Sequence, residues 1–371
     1  MDRRHAAAVP IPPVKTLSRL RLAAVCACAV SAAVAAAPLR WSNDLPGRPA
    51  AWFATPEART LAATVLTYQS EHGAWPKNTD LAVPLTPEIA AEIKRGGKAD
   101  TIDNGGTVSP LRFLARAHAA APDPAYVRAM VRGLDYLLAS QYPNGGFPQF
   151  FPLREGYYSR ITHNDNAMAN VLGFLREIAQ GKEPFAFVDA ERRARCADAV
   201  ARGLDCILRT QIRQDGKLTA WCAQHDEKTL APAWARKYEG PSLSGNESVG
   251  LVRFLMGVEK PSPEIVAAIE GAVAWLRSVA ITGIRQEVFS GADGKRDKRI
   301  VPDPAAPPIW ARFYELGTNR PLFMGRDSVP RYALAGIEQE RRGGYAFYGD
   351  WPASLLEKDY PRWRAKLAAT R

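Results

Sequence analysis

Apolar residues recur along the chain at the spacing of amphipathic α-helices. Positions three and four residues apart carry the apolar side chains, as expected where one stripe of a helix is buried. Alternation of apolar and polar residues, which is typical of strands, is scarce. The pattern predicts helical segments at residues 58–68, 110–119, 126–138, 166–178, 190–208, 248–256 and 263–275.

A short motif recurs at the ends of these segments. A leucine stands three residues before a glutamine, and a glycine-containing turn and an aromatic residue follow. Three copies and a degenerate fourth begin at Leu66, Leu138, Leu208 and Leu276, which are 72, 70 and 68 residues apart. This period fits two helices plus their loops. We therefore predict an all-α fold, an (α/α) toroid or barrel of about three helical hairpins closed into a ring, with loops forming a cleft at one end.

The first 37 residues have the composition of a secretion signal. Basic residues are followed by a run rich in alanine and valine, and small residues end it at Val34-Ala-Ala-Ala37. A membrane-spanning helix is the weaker reading, because the run falls short of roughly 18 strongly apolar residues. We predict that residues 1–37 are a cleaved signal peptide, and that the mature protein is secreted or periplasmic and not attached to a membrane.

The rest of the chain, residues 38–371, is predicted to be one domain. The full chain has 371 residues, 47% of them hydrophobic, which is enough to bury a large core. No linker rich in glycine, serine or proline interrupts the repeat. The net charge of +11 favours an acidic partner. The motifs indicate no nucleic-acid binding, and we expect a monomer.

The three cysteines outside the predicted leader are expected to be packed thiols. Cys196 and Cys206 are ten residues apart on one predicted helix, a separation of about 15 Å, which no disulfide spans. A pairing that involves Cys222 stays open. Sequence motifs for zinc, phosphate and dinucleotide sites are absent. His225 beside Asp226 has the chemistry of a general base, but a packed or surface role is more common for such a histidine.

Two loops rich in carboxylate and amide side chains precede helices in successive repeats. Asp103 and Asn104 precede the helix at 110–119, and Asn164 and Asp165 precede the one at 166–178. Each loop taken alone is explained by an ordinary turn and helix cap. Because they occupy equivalent positions of the repeat, however, they could converge on a hard cation such as Ca²⁺, which prefers oxygen ligands.

Arginines follow tryptophans in the second half of the chain. Trp234-Ala-Arg236-Lys-Tyr238 and Trp310-Ala-Arg312-Phe-Tyr314 share a pattern, and Arg326 follows. An isolated arginine is usually a solvated or ion-paired surface residue. Guanidinium groups bind carboxylates in two-pronged fashion, however, and aromatic faces stack on sugar rings. The combination of these arginines with a Ca²⁺ site is suited to an acidic polysaccharide.

Several motifs resemble those of the family 10 polysaccharide lyases, which are pectate lyases. The resemblance extends from about Ala63 to Pro352 and implies the toroid fold of that family. It rests on Thr101-Ile-Asp-Asn-Gly, Asn144-Gly-Gly-Phe-Pro-Gln-Phe, Thr162-His-Asn-Asp-Asn-Ala-Met168, Leu243-Ser-Gly-Asn-Glu-Ser248 and Trp310-Ala-Arg-Phe-Tyr-Glu-Leu-Gly-Thr-Asn-Arg-Pro321.

The resemblance implies a secreted enzyme that cleaves α-1,4-linked polygalacturonate by Ca²⁺-assisted anti-β-elimination. It implies a role for Arg236 as the base, with a pKa lowered by Ca²⁺ and neighbouring cations, although Arg285 or Arg299 could compete for that role. Metal ligands are expected at Asp103, Asn104 and Asp165, and substrate-binding groups at Lys77, Asn78, Arg312, Tyr314 and Arg326.

Two other functions fit parts of the pattern. Gln69-x-x-x-Gly-x-Trp75 also resembles the Gln-Trp repeats of triterpene cyclases and prenyltransferases, but those enzymes need an aspartate cluster or a zinc site that this sequence lacks. A non-catalytic protein that binds acidic polysaccharide on the same toroid is the other alternative. Such a protein would bind the polysaccharide through the arginines but would not cleave it.

Overall fold

The computed structural model describes residues 39–369, and the predicted leader lies outside them. From Arg40 onward the described chain forms one compact unit. No helix between residues 39 and 369 is long and apolar enough to cross a bilayer.

The described chain contains ten α-helices, and those predicted from periodicity are confirmed. Each of the predicted segments coincides with one of α1 and α3 to α8 to within three residues. Three shorter helices, α2, α9 and α10, were not predicted. The bounds are α1 Pro56–Thr67, α2 Pro87–Arg95, α3 Val108–Ala120, α4 Pro124–Ser140, α5 Ala167–Ala179, α6 Ala190–Thr210, α7 Glu247–Met256, α8 Pro263–Ser278, α9 Gln339–Gly344 and α10 Tyr360–Ala369.

Six of these helices form three antiparallel hairpins in two layers. Helices α3 and α4, α5 and α6, and α7 and α8 pack as pairs. Helices α1, α3, α5 and α7 are neighbours in one layer, which we call the inner layer, and α4, α6 and α8 are neighbours in the other, the outer layer. The predicted hairpin toroid is confirmed, but it is an open array and not a closed ring. Short segments cover its edges. The 3-10 turn at Ala50–Ala54 packs against α1 and α3, the one at Leu45–Gly47 packs against α3, and a π-helical turn at Leu355–Asp359 packs against α7.

The recurring glutamines join the end of one helix to a neighbouring helix of the layer formed by α4, α6 and α8. Each ends a helix and donates its side-chain amide to two backbone carbonyls, one in its own loop and one on an outer-layer helix. One side chain thus sets both the turn and the next helix, which explains why the motif has the period of the hairpin. The acceptors are Gly73 (2.8 Å) and Ala129 (2.8 Å) for Gln69, Gly145 (3.0 Å) and Ala199 (2.8 Å) for Gln141, and Thr219 (2.9 Å) and Ala268 (2.8 Å) for Gln211.

Buried tryptophans complete the same repeat. Trp75 donates its indole N–H to the carbonyl of Val65 at 2.8 Å, and Trp221 donates to that of Ile207 at 2.7 Å. The degenerate fourth copy keeps this bond, because Trp310 donates to the carbonyl of Leu276 at 2.7 Å. These bonds fix the loops that follow the helices and so orient the opening of the array.

The strands are short, with one exception. The hairpin of β6 and β7 is seven residues long on each side and pairs Ile284 with Pro302. Two-residue pairings of β1 with β4, β5 with β9 and β8 with β12 tie together the loops at the opening. The bounds are β1 Ile161–Thr162, β2 Arg213–Gln214, β3 Lys217–Leu218, β4 Gln224–His225, β5 Leu243–Ser244, β6 Ile284–Ser290, β7 Arg296–Pro302, β8 Trp310–Ala311, β9 Phe313–Tyr314, β10 Phe323–Met324, β11 Pro330–Arg331 and β12 Tyr348–Gly349.

The cysteines and His225 are packing residues. The thiols of Cys196, Cys206 and Cys222 are all free and buried, so the pairing of Cys222 left open by the sequence is not formed. His225 donates from Nδ1 to the carbonyl of Leu230 at 2.9 Å and accepts the backbone N–H of Cys222 at Nε2. Burial lowers the pKa of His225 to about 4, so the ring is neutral and fully engaged.

Candidate active site

Two equivalent turns lead into the inner helices α3 and α5. The turn at Asp103–Gly105 places Asn104 at φ +49°, and the turn at Asn164–Asn166 places Asp165 at φ +51°. Asparagine and aspartate tolerate this left-handed conformation better than other residues with a side chain. Asp103 therefore corresponds to Asn164, and Asn104 to Asp165. The two turns contact each other, so their polar side chains share one opening.

Asp103 is the buried carboxylate of the first turn. It is 4% exposed, and its Oδ2 accepts a hydrogen bond from Lys77 Nζ at 2.5 Å. Its Oδ1 is buried and has no partner. Beside it, Asn104 donates its side-chain amide to Asn78 Oδ1 at 3.1 Å. The structure thus brings together Lys77, Asn78, Asp103 and Asn104, as the site prediction requires.

Asp165, in the second turn, meets a guanidinium group from the far end of the chain. Asp165 Oδ1 accepts from Arg312 Nη2 at 3.2 Å, and its Oδ2 accepts from the Asn164 amide at 2.7 Å. Arg312 is 7% exposed and also donates to the fully buried Glu247. Burial alone would lower the pKa of Arg312, but the charges of Glu247, Tyr345 and Asp165 together outweigh it and raise the pKa above its ordinary value. Arg312 is therefore a fixed cation.

Arg236 lies next to the cluster of Asp165, Arg312 and Glu247, and an ion pair with Glu239 holds it in place. Its Nε and Nη2 donate to the two carboxylate oxygens of Glu239 at 2.7 and 2.5 Å. Tyr345 donates its hydroxyl to Glu239 Oε1 at 2.7 Å, and its ring lies 5.0 Å from the Arg312 guanidinium carbon. Burial would lower the pKa of Arg236, but the hydrogen bonds and charge of Glu239 raise it above the ordinary value. The protein side chains therefore raise the pKa of Arg236 and do not lower it as predicted, because the prediction left out Glu239.

The other predicted residues lie away from this cluster. Tyr314 is 1% exposed, donates its hydroxyl to the carbonyl of Val279 at 2.9 Å and accepts the backbone N–H of Ala311. It is a core residue, and its burial contradicts the prediction that it binds substrate. Arg326 is exposed and forms a two-pronged pair with Glu340 at 3.0 Å. It reaches the cluster only through the ring of Tyr238, 6.0 Å from its guanidinium carbon.

The competing arginines are on the β6–β7 hairpin. Arg285 and Arg299 both pair with Glu287 there, and Arg285 also pairs with Asp303. Within residues 39–369, neither pairs with a carboxylate of the two turns. Their environment is that of ordinary surface ion pairs, which favours Arg236 over them as a reactive group.

Sequence reasoning missed Glu239, Glu247 and Tyr345, which connect the two arginines. Glu247 is in the quoted segment Leu243-Ser-Gly-Asn-Glu-Ser248, but an acidic residue in the first turn of a helix is common and did not signal a buried partner for Arg312. Glu239 stands three residues after Arg236, a spacing that permits an ion pair. Nothing in the local sequence marks Tyr345.

The residues of the two turns fit an open cation site. In the described chain no group of three or more His, Cys, Asp or Glu side chains could hold a metal ion alone. Asp103 nevertheless keeps a buried, unpartnered oxygen. The positive charges of Lys77 and Arg312 and the negative charges of Asp103, Asp165 and Glu247 sum to −1, which leaves one carboxylate without a matching cation. Two carboxylates and an amide suit Ca²⁺, with further oxygens from water and substrate.

Comparison with known proteins shows the family of the chain. The model of the pectic acid lyase family matches residues 69–356. A variant of a family 10 polysaccharide lyase from Cellvibrio cellulosa in complex with trigalacturonic acid is 35% identical, covers 87% of this chain and 99% of its own, and has a TM-score of 0.73. A second structure, of a family 10 polysaccharide lyase from Cellvibrio cellulosa, is 34% identical, covers 89% of this chain and 100% of its own, and has a TM-score of 0.73. A search of curated proteins finds no match. The chain therefore belongs to the pectic acid lyase family, that of the family 10 polysaccharide lyases.

Proposed function

We propose that this polysaccharide lyase cleaves α-1,4-linked polygalacturonate by Ca²⁺-assisted anti-β-elimination. The observation that carries the proposal is the meeting of two carboxylate turns with a buried arginine. Asp103 keeps an unpartnered buried oxygen, and Asp165 is bridged to Arg312. The trigalacturonic acid bound by the related enzyme supports the substrate class.

The polar groups at the opening bind and orient the uronate. Asp103 and Asp165, with Asn104, would hold Ca²⁺, and Lys77 and Arg312 flank them as cations. Asn78 and Asn104 offer amide groups to sugar hydroxyls. Bound Ca²⁺ neutralises the uronate carboxylate and makes the proton on the adjacent carbon more acidic. Arg326, which is exposed and lies beyond the ring of Tyr238, would bind a carboxylate farther along the polymer.

Arg236 is the proposed base. In its neutral form it takes the proton from C5, the electron pair forms the C4–C5 double bond, and the bond between C4 and O4 breaks. The leaving oxygen is protonated from water, and the products are a shortened chain and a 4,5-unsaturated oligogalacturonate. Glu239 holds Arg236 in its protonated form, so turnover requires alkaline conditions.

The same ion pair favours a second candidate function. Because Glu239 raises the pKa of Arg236, a protein with this pair could bind acidic polysaccharide without cleaving it. The two functions differ in turnover. A binder would release no unsaturated product at any pH or Ca²⁺ concentration.

The test is the absorbance of the unsaturated product formed from polygalacturonate with Ca²⁺ and with chelator. We expect turnover with Ca²⁺, loss of it with chelator, and loss in Arg236→Ala with oligogalacturonate binding retained. Arg299→Ala is the matched control, because it removes an ion-paired arginine from the β6–β7 hairpin. Turnover that resists chelation would exclude Ca²⁺ from the mechanism. If the wild-type protein shows no turnover under any condition, the non-catalytic binding function is favoured instead.

The location of the enzyme is also proposed. A substrate that is a large polymer requires export, and residues 1–37 have the composition of a cleaved leader. N-terminal sequencing of protein from periplasm and culture medium tests this. We expect a mature chain that begins near Pro38. Size-exclusion chromatography of that chain tests the expected monomer.

A further inference from the structure

A cavity of about 510 Å³ lies beside the first carboxylate turn. Lys77, Asn78 and Asn104 line one side of it, and Arg40 and Trp41 line the other. Its size lies within the roughly 300–1,000 Å³ of small-molecule sites. The cavity shares Lys77 and Asn104 with the proposed cleavage site, so a chain bound there has a direct path into it.

The amide side chains around the cavity hold one another in place. Asn43 donates its amide to the backbone carbonyl of Asn104 at 2.8 Å, and Asn104 donates its amide to Asn78 Oδ1 at 3.1 Å. These bonds span three segments that are far apart in sequence. They leave further donor and acceptor positions of three amides at a polar wall, which suits hydroxyl groups.

The lining of the cavity contains one carboxylate, that of Asp80, and a cation, Arg40, that does not pair with it. Within residues 39–369 the exposed guanidinium of Arg40 forms no ion pair or hydrogen bond. The nearby carboxylate of Asp80 is already engaged, because its Oδ1 accepts the backbone N–H groups of Trp41 (2.8 Å) and Ala82 (3.1 Å). Since the guanidinium of Arg40 is not paired with Asp80, it is available to the carboxylate of a ligand.

An aromatic ring is fixed at the same wall. Trp41 is half-buried, and its ring packs edge-on against the buried Phe113 at a centroid distance of 5.5 Å. This contact holds the indole while part of it stays accessible. Aromatic faces of this kind pack on the apolar face of a sugar ring.

We propose that this cavity is an additional uronate subsite, in which Arg40 binds the carboxylate of a sugar remote from the cleavage point. The inference rests on the proposed function for the identity of the polymer. The ligand is a hydroxyl-rich ring with one carboxylate. Arg40 would bind the carboxylate, Trp41 would pack against the ring, and the three amides would bind the hydroxyl groups. Long substrates gain this contact and short ones do not.

The test compares Arg40→Glu with the wild type over oligogalacturonates of increasing length. We expect kcat/KM to fall about tenfold for the oligomers that are long enough to reach the cavity, as charge reversal at an arginine–carboxylate contact implies, and to stay unchanged for shorter ones. Arg128→Glu is the matched control, because Arg128 is exposed on the outer helix α4 and makes the same change in net charge.

The outcomes separate this inference from the proposed function. Equal losses at every oligomer length, or no loss at any length, would overturn the subsite while turnover stands. If the wild type forms no unsaturated product, the proposed function fails, and calorimetric titration with the same oligomers still tests the subsite. In that measurement Arg40→Glu must weaken binding of the long oligomers and not of the short ones.

Discussion

The reactivity of Arg236 depends on one neighbouring carboxylate. The titratable groups that face its guanidinium are Glu239, Tyr238, Tyr345 and Tyr157. Only Glu239 adds two short hydrogen bonds and a negative charge, and it raises the pKa of Arg236, so the protonated form persists to higher pH. Glu239→Gln removes that charge and keeps an oxygen acceptor. If Arg236 is the base, we expect kcat/KM at a fixed alkaline pH to rise about tenfold, since loss of a paired charge moves a pKa by a unit or more.

The measurement is the pH profile of kcat/KM for both proteins. In the wild type the rate should climb by about tenfold per pH unit below the pKa of the base, and the variant's profile should lie at lower pH. Glu287→Gln, which removes the carboxylate that pairs with Arg299 on the β6–β7 hairpin, should leave the profile in place. A profile that does not move in Glu239→Gln excludes Arg236 as the base.

A substitution at Tyr314 distinguishes a structural role in the core from a role in substrate binding. Tyr314→Phe removes the hydroxyl that donates to the carbonyl of Val279 and accepts the N–H of Ala311. Both groups are then left without a partner, which should lower the free energy of unfolding by about 1–3 kcal/mol. Urea denaturation measures this loss. The KM for polygalacturonate should stay that of the wild type, and a raised KM would return Tyr314 to the substrate-binding set.

At the scale of the elements, the recurring glutamines carry the hairpin architecture. Gln141 joins its own turn, at Gly145, to Ala199 on α6, and it also accepts from Arg202. Gln141→Ala should therefore cost about 1–3 kcal/mol of unfolding free energy. Gln180→Ala is the control, because Gln180 is exposed at the end of α5. Equal urea midpoints for the two variants would show that the motif does not hold neighbouring helices together.

The helical hairpins could be predicted because their signals are local. Each copy of the motif contains the glutamine and the loop carbonyl to which it bonds, and apolar spacing marks the helices between the copies. The closure of the array could not be predicted, because it depends on what covers its two edges. Residues 45–54 and 355–359 cover them, and neither segment has a periodic pattern.

The site could be predicted as a set of residue types but not as a set of contacts. Asp103 and Asp165 were identified because their turns are equivalent in the repeat. Period two in an extended chain would place Arg312 and Tyr314 on the same face. Strand pairing is interrupted at Arg312, however, since β8 pairs with β12 and β9 with β5. Arg312 therefore reaches the opening, while Tyr314 enters the core. Such a break depends on partners far away in sequence.

For the whole molecule, cation and substrate must bind together. The two turns come from successive hairpins, and they supply too few oxygens to surround Ca²⁺ without water or substrate. The free protein should bind Ca²⁺ weakly, with a dissociation constant of about 1 mM, and saturating trigalacturonate should tighten it at least about tenfold by completing the coordination and neutralising charge. Linkage requires that Ca²⁺ strengthen trigalacturonate binding by the same factor. Calorimetric titration in Arg236→Ala, which should not turn over the ligand, measures both.

Asp103→Asn decides whether the two carboxylate turns are where this coupling arises. It removes the charge of the carboxylate with the unpartnered oxygen, and the mutual strengthening of Ca²⁺ and trigalacturonate should disappear. Asp293→Asn, in the turn of the β6–β7 hairpin, makes the same chemical change away from the opening and should preserve it. Tight binding of Ca²⁺ without sugar, or a Ca²⁺ affinity that trigalacturonate leaves unchanged, would contradict a site shared between protein and substrate. The excess of carboxylates in the cluster would then serve only to hold Lys77 and Arg312 in place.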